Sequence, residues 1–219
     1  MLTLFSQMKP MTDDSLGTDP KKATAILDGA TQEFMTHGYA ATSMNQIAAA
    51  AKVSKPTLYT YFQDKAGLFV ALIERFAHRQ QMLSWLQDPQ TLAEDPTIAL
   101  RHLATEILDQ FAGEQLSFFM MRTIIGESAR FPALARTFVA KTEQQNIQVI
   151  SQFLAAHPQV CVPDPEIAAR VFMGTLVHHI INQKILHGQE VVEIDRERLI
   201  AGLVNLIVGS CKPDSTINK

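Results

Sequence analysis

Thr42-Ser43-Met44-Asn45-Gln46-Ile47-Ala48-Ala49-Ala50-Ala51-Lys52-Val53-Ser54-Lys55-Pro56-Thr57-Leu58-Tyr59-Thr60-Tyr61-Phe62-Gln63-Asp64-Lys65-Ala66-Gly67-Leu68-Phe69 is the stretch whose reading decides the fold. Ser43 with Gln46 three residues on is the pattern of a capping box, and Ile47 and Ala48 then open an apolar face. That helix runs to about Ala51. Lys52-Val53-Ser54 makes a short turn, Ser54 can cap another helix, and Pro56 falls in the first turn, where its missing N–H is no loss. Leu58 and Phe62, spaced i, i+4, are expected to point inward. Upstream, residues 21–37 read as a helix with Ile26, Ala30, Phe34 and Met35 on one face, and Gly38 stands where a left-handed residue would end it. Downstream, a fourth helix from Lys65 to about Leu86 carries Leu68, Phe69, Leu72, Ile73 and Phe76, and joins head to body as a natural lever.

Three short helices with a tight turn between the second and third make a helix-turn-helix, whose third helix is shaped to lie in the major groove of DNA. With Leu58 and Phe62 turned to the core, Lys55, Thr57, Tyr59, Thr60 and Tyr61 are left for a partner, and Pro56 sits among them. Thr and Tyr hydroxyls donate to phosphate oxygens, Lys pairs with phosphate or guanine, and the threonine methyl packs on the thymine methyl. Thr42 and Ser43 open the second helix, where free N–H groups and the helix dipole attract phosphate, and Lys65 stands near the same strand. The plain alternative for any one of these residues is a cap or a solvated side chain; taken together at this spacing they point to DNA.

These residues resemble the DNA-binding domain of the tetracycline-repressor (TetR) family over about residues 22–70. The resemblance implies that the third helix docks in the major groove and that Thr42, Ser43, Lys55, Pro56, Thr57, Tyr59, Thr60, Tyr61 and Lys65 are the DNA-contacting positions. Lys52 departs from the family pattern, which has glycine there. A lysine at positive φ would cost about 1 kcal/mol of strain without abolishing the fold. Further on, Arg122-Thr123-Ile124-Ile125-Gly126-Glu127-Ser128-Ala129-Arg130-Phe131-Pro132-Ala133-Leu134-Ala135-Arg136 is similar to the mid-domain segment of an AefR-like subgroup of that family.

The rest of the chain continues in helical periodicity with no sustained alternation, so the fold class is all-α, with a head at 21–66 and a larger body at 67–219 for which the resemblance implies effector binding and dimerisation. Helices at about 96–112, 115–129, 132–156, 165–187 and 196–209, bounded by prolines and glycines, bring the total to about nine. Ile167, Val171, Phe172, Met173, Leu176, Val177, Ile180 and Ile181 spread over more than one face of their helix. Leu199, Ile200, Leu203, Val204, Leu206, Ile207 and Val208 do the same in the last one. A helix apolar around most of its circumference needs a second partner, and a two-fold homodimer through a four-helix interface supplies it. Val171, Thr175, Ile180, Leu199, Leu203 and Leu206 are the expected contact residues. A single large core is the alternative. Two heads on a two-fold axis would read half-sites about 34–36 Å apart, hence a palindromic operator.

Trp85, Phe111, Phe118, Phe119, Met120, Met121 and Phe172 are candidate lining for a pocket, with Arg122, Glu127, His178 and Asn182 as polar fixtures. Each taken singly reads more readily as core than as pocket lining. Such walls suit a small, largely apolar or aromatic effector that favours the DNA-incompetent state. His178, His179 and His187 do not make a metal site, because adjacent histidines on a helix diverge and no carboxylate or cysteine cluster completes it. No phosphate loop, nucleophile elbow or carboxylate dyad is present, so neither an enzyme nor a cofactor is expected.

Composition agrees. The chain has 219 residues, 47% of them hydrophobic, enough for a core without staples. Net charge is −3, with +2 over residues 21–65, −3 over residues 66–219 and −2 over residues 1–20, a mildly basic head on an acidic body. Cys161 and Cys211 are too few for a disulfide framework and fit a reducing cytoplasm. The N-terminal segment 1–20 lacks the pattern of a secretory signal and reads as a flexible arm, in which Met8 or Met11 are alternative starts. The apolar stretches at 167–181 and 199–208 are too short and interrupted to span a membrane. The expected function is a DNA-binding repressor released by a small molecule. The alternatives are a ligand-insensitive activator or architectural protein, and a helical protein-binding module without DNA activity.

Overall fold

The computed structural model describes residues 19–79, 81–113 and 115–209, and the chain divides into two units, Met1–Lys65 and Ala66–Lys219. The expected arm over 1–20 and the alternative starts lie outside the described residues, save that Pro20 is already helical and Asp19 is its cap.

The first unit holds α1 (Pro20–His37), α2 (Met44–Ala50) and α3 (Lys55–Tyr61), with α1 packed on α2 and α2 on α3. Asp19 accepts from the Lys21 N–H, which anchors the start of α1. Gly38 ends it at φ 80°, ψ 159°, a conformation for glycine but not the left-handed helical one expected, and its N–H donates to the Phe34 carbonyl. The core of this unit is Ile26, Ala30, Phe34, Tyr39, Ile47, Ala48, Ala51 and Leu58. Gly29 allows α1 to touch the end of α2, since a Cβ there would stand 2.8 Å from the Ala51 nitrogen. The division between the units falls in the first turn of α4 (Lys65–Arg79).

In the second unit, the long helix expected from Lys65 to Leu86 is two elements. It ends at Arg79, and a 3-10 helix, Gln81–Gln87, follows. Leu83 and Leu86 both turn inward, and a helix of three residues per turn aligns that spacing. Asp88 then caps a short helix not expected, α5 (Pro89–Ala93), and α6 (Pro96–Gly113) and α7 (Gln115–Glu127) come next. The helix expected over 132–156 is α8 (Pro132–Phe138) and α9 (Gln144–Ala156) joined through a π turn, Val139–Glu143. Another π turn, Ile181–Ile185, extends α10 (Pro165–Ile180), and α11 (Arg196–Val208) is the last. The described residues therefore hold eleven α-helices where about nine were expected.

α10 packs against α9, α6 and α11, and α11 against α6. Their shared core takes Leu100, Leu103 and Ala104 from α6, Ile150 and Phe153 from α9, Phe172, Leu176 and Ile180 from α10, and Ile200, Leu203, Val204 and Ile207 from α11. Of the expected dimer contacts, Ile180 and Leu203 are 1% and 3% exposed and pack in the core of their own chain. Val171 and Leu206 are exposed, and Thr175 and Leu199 are half-buried. Cys161 lies among the described residues and Cys211 outside them. Among the described residues no helix is long and apolar enough to cross a membrane, and no group of three metal-ligating side chains gathers.

Candidate nucleic-acid interface

The turn between α2 and α3 is built by local hydrogen bonds. Ser43 N–H and Oγ donate to Gln46 Oε1 at 2.8 and 2.6 Å, while Gln46 N–H donates back to Ser43 Oγ at 3.3 Å. Ser54 caps α3 by accepting from Thr57 N–H at 3.2 Å, with Pro56 in the first turn. Between the helices Lys52 adopts φ 55°, the left-handed conformation for which glycine is suited.

Leu58 is fully buried and fixes the inner side of α3; Phe62, expected beside it in the core, is only half-buried at the helix end. The opposite side presents Lys55, Pro56, Tyr59 and Thr60 to solvent. Tyr59 is 43% exposed, with the Lys55 ammonium 6.0 Å from its ring centroid. Thr60 Oγ1 donates to the Pro56 carbonyl, which leaves its methyl and an oxygen lone pair outward. Thr57 is half-buried, its hydroxyl 2.7 Å from Ser54 Oγ. The half-buried Tyr61 reaches the Asp19 carbonyl with its hydroxyl at 3.4 Å. That contact brings the start of α1, with the exposed Lys21 and Lys22, toward the C-terminal end of α3.

Two expected contacts face the other way. Thr42 is 2% exposed and its hydroxyl lies 2.8 Å from the Gly38 carbonyl and 3.2 Å from that of Glu33, closing the end of α1. Lys65 donates to the carbonyls of Tyr39, Ala40 and Thr42 at 2.8, 3.0 and 2.9 Å, and its ammonium lies 4.8 Å from the Tyr39 ring centroid. Three donors on three carbonyls use the ammonium's full capacity. The segment before α2 is thus held by Lys65 from within, and among the described residues of this unit the exposed lysines are Lys21, Lys22, Lys52 and Lys55.

Of the expected pocket residues, Phe111, Met121 and Phe172 are buried in the core, and Trp85 and Phe118 pack against it. Trp85 donates to Glu106 at 3.2 Å, Arg122 and His178 are exposed, and Asn182 is half-buried, accepting from Gln183. Phe111 borders a cavity of about 260 Å³ at the end of α10.

Comparison with known proteins fits this geometry. Residues 26–72 match the model for bacterial regulatory proteins of the TetR family, and residues 98–209 match the AefR-like transcriptional repressor C-terminal domain. The HTH-type transcriptional repressor ComR of Escherichia coli (strain K12) is 44% identical over 55 residues, 25% of this chain and 26% of ComR. The HTH-type transcriptional regulator YdgC of Bacillus subtilis (strain 168) is 26% identical over 201 residues, covering 91% of this chain and 96% of its own. Among solved structures, the flavonoid-responsive regulator FrrA superposes with a TM-score of 0.71 at 31% identity, covering 90% of this chain and 100% of FrrA. With an all-helical body behind a helix-turn-helix whose third helix turns Lys55, Tyr59 and Thr60 outward, the chain belongs to the TetR family of DNA-binding transcriptional regulators.

Proposed function

We propose that this protein is a homodimeric repressor that binds a palindromic operator through α3 and is released by a small effector with a largely apolar or aromatic body. The observation that carries the reading is the outward face of α3, where Lys55, Pro56, Tyr59 and Thr60 stand exposed above a fully buried Leu58. Ser43 and Thr57 complete the contact set at the helix starts, and Tyr61 joins it at the other end of α3. Lys21 and Lys22 add charge there. Thr42 and Lys65 act by shaping the loop before α2. Repression is favoured by the matching repressor domain model and by the name of ComR, and a small-molecule effector by the flavonoid response in FrrA's name.

The homodimer is supported by an exposed apolar stripe on the last two helices. Ile167 and Val171 on α10 and Leu206 on α11 are 54%, 47% and 72% exposed. Gly174 and Gly202 have open space where a Cβ would stand, so a facing helix can approach closely. The reading is tested by electrophoretic shift on the DNA upstream of the protein's own gene. A specific complex that weakens steeply with salt is expected, and indifference to every duplex at low salt overturns the reading.

A further inference from the structure

We propose that the cavity at the C-terminal end of α10 binds a small organic monocarboxylate, with an aromatic or short aliphatic body, in a site formed by Arg196, Lys184 and His179. As an account of the effector it rests on the reading above; as a binding site it stands on its own geometry.

The cavity measures about 260 Å³, with Leu108, Phe111, Ile180 and Ile194 as its apolar walls. Pockets for drug-sized ligands run to roughly 300–1,000 Å³, so this one suits a smaller molecule. Its cations come from two elements. Lys184 projects from the π turn that extends α10, and such turns recur at functional sites. Arg196 opens α11, with Nη1 donating to Asp109 at 2.6 Å and Nη2 to the Thr105 carbonyl at 3.0 Å. These bonds fix the guanidinium, yet its Nε is buried and has no hydrogen-bond partner. A buried donor left unmade is costly, and a ligand oxygen brought within reach of it would offset that cost.

Lys184 and Arg196 supply cations to which one carboxylate can dock. Burial, then Lys184, Arg196 and His178, hold the His179 imidazole below its ordinary value. A neutral imidazole can still donate to a carboxylate. Glu193 also borders the cavity, and Asp109 already engages Arg196, so a second negative charge on the ligand would be opposed. One acid group on a compact apolar body is the chemistry that fits both the wall and the charge.

The test is isothermal titration calorimetry on the full chain without DNA, using benzoate, phenylacetate and hexanoate, with benzamide as the uncharged comparison. At least one acid is expected to bind saturably, one per chain, and benzamide is not. Lys184→Met should weaken that binding about tenfold, and Ile194→Glu, which sets a carboxylate on the wall, at least as much. Gln148→Ala, in a separate cleft beside α9, should leave it unchanged. Equal binding of benzamide, affinities untouched by both cavity variants, or no saturation by any acid at roughly millimolar concentration overturns the site. The operator complex is then challenged with the bound acid. If the acid binds and the operator is not released, the site stands and its role as effector site fails. If no acid binds while the operator is still bound, this site fails and the regulator reading survives.

Discussion

Lys65 donates to the Tyr39 carbonyl at 2.8 Å while its ammonium stands 4.8 Å from the centroid of the same residue's ring, so one side chain grips both the backbone and the face of Tyr39. Two further carbonyls, Ala40 and Thr42, share the ammonium. Lys65→Met should therefore destabilise the head by roughly 1.5–3 kcal/mol in all, the bonds being charge-assisted but partly solvated and not additive. Operator affinity should fall with it. The salt dependence distinguishes this role from a phosphate contact: removing a contact lowers the slope of log K against log salt by about one, whereas Lys65→Met should leave the slope as it is. A slope that drops by one would return Lys65 to the DNA surface.

On α3 the inner and outer faces separate cleanly. Tyr59→Phe removes one hydroxyl from a residue 43% exposed, and Lys55→Ala removes one exposed cation. Both should weaken operator binding and leave the melting temperature within about the small range typical of surface changes. Leu58→Ala, at a side chain with no exposure, should cost about 2–5 kcal/mol. Thermal melts beside binding isotherms check all three, and loss of folding in the first two would mean that the faces are reversed.

Lys52 holds φ 55°, where a Cβ meets strain that glycine escapes. Lys52→Gly should raise the stability of the head by up to about 1 kcal/mol, less the greater entropy of glycine in the unfolded chain. The operator complex should nevertheless weaken slightly at low salt, since an exposed cation between the two helices is lost. Chemical denaturation paired with a salt titration reads both effects, and a destabilised variant would show that strain at this turn is not the controlling quantity.

What the sequence made legible was local. The Ser43–Gln46 box, the Ser54 cap and Pro56 in the first turn of α3 all span four residues or fewer, and the structure realises each of them. The same signal at Asp88-Pro89 opens α5 but reads equally as the end of what precedes it. The π turns leave no such mark, because inserting one residue per turn only blurs the apolar period. Thr42 and Lys65 were misread outward because their partners are remote: Glu33 lies nine residues from Thr42, and Tyr39 lies 26 from Lys65. A helix apolar all round, such as α10, likewise carries no sign of which stripe its own core will take.

Gly29 sits where α1 crosses the end of α2, and the absent Cβ would meet Ala51 backbone atoms at 2.8 and 3.0 Å. Backbone cannot swing aside as a flexible side chain can, so Gly29→Ala must part the two helices. A cost of about 1–3 kcal/mol is expected, larger than the gain in helix propensity that alanine brings. Because α2 supports the turn before α3, operator affinity should decline as well. Unfolding curves for the variant measure the first effect, and an unchanged midpoint would mean that the two helices separate freely.

The dimer reading is most sharply tested where α10 and α11 divide their apolar residues. Ile180 and Leu203 are inside, while Val171 and Leu206 are 47% and 72% exposed with Gly174 and Gly202 open beside them. A charge placed on the exposed stripe has little to disturb within one chain but would be buried unpaired against a second copy. The double variant Val171→Glu with Leu206→Glu should therefore keep its helical circular dichroism yet sediment as a monomer at concentrations where the parent is a dimer. Operator affinity should collapse, because two linked half-site contacts become two separate ones. Leu203→Ala is the matched control: it should lower stability by about 2–5 kcal/mol from inside the core without selectively changing the mass in solution. A double variant that remains dimeric would place the interface on another face, and a parent that is already monomeric would remove the palindromic operator with it.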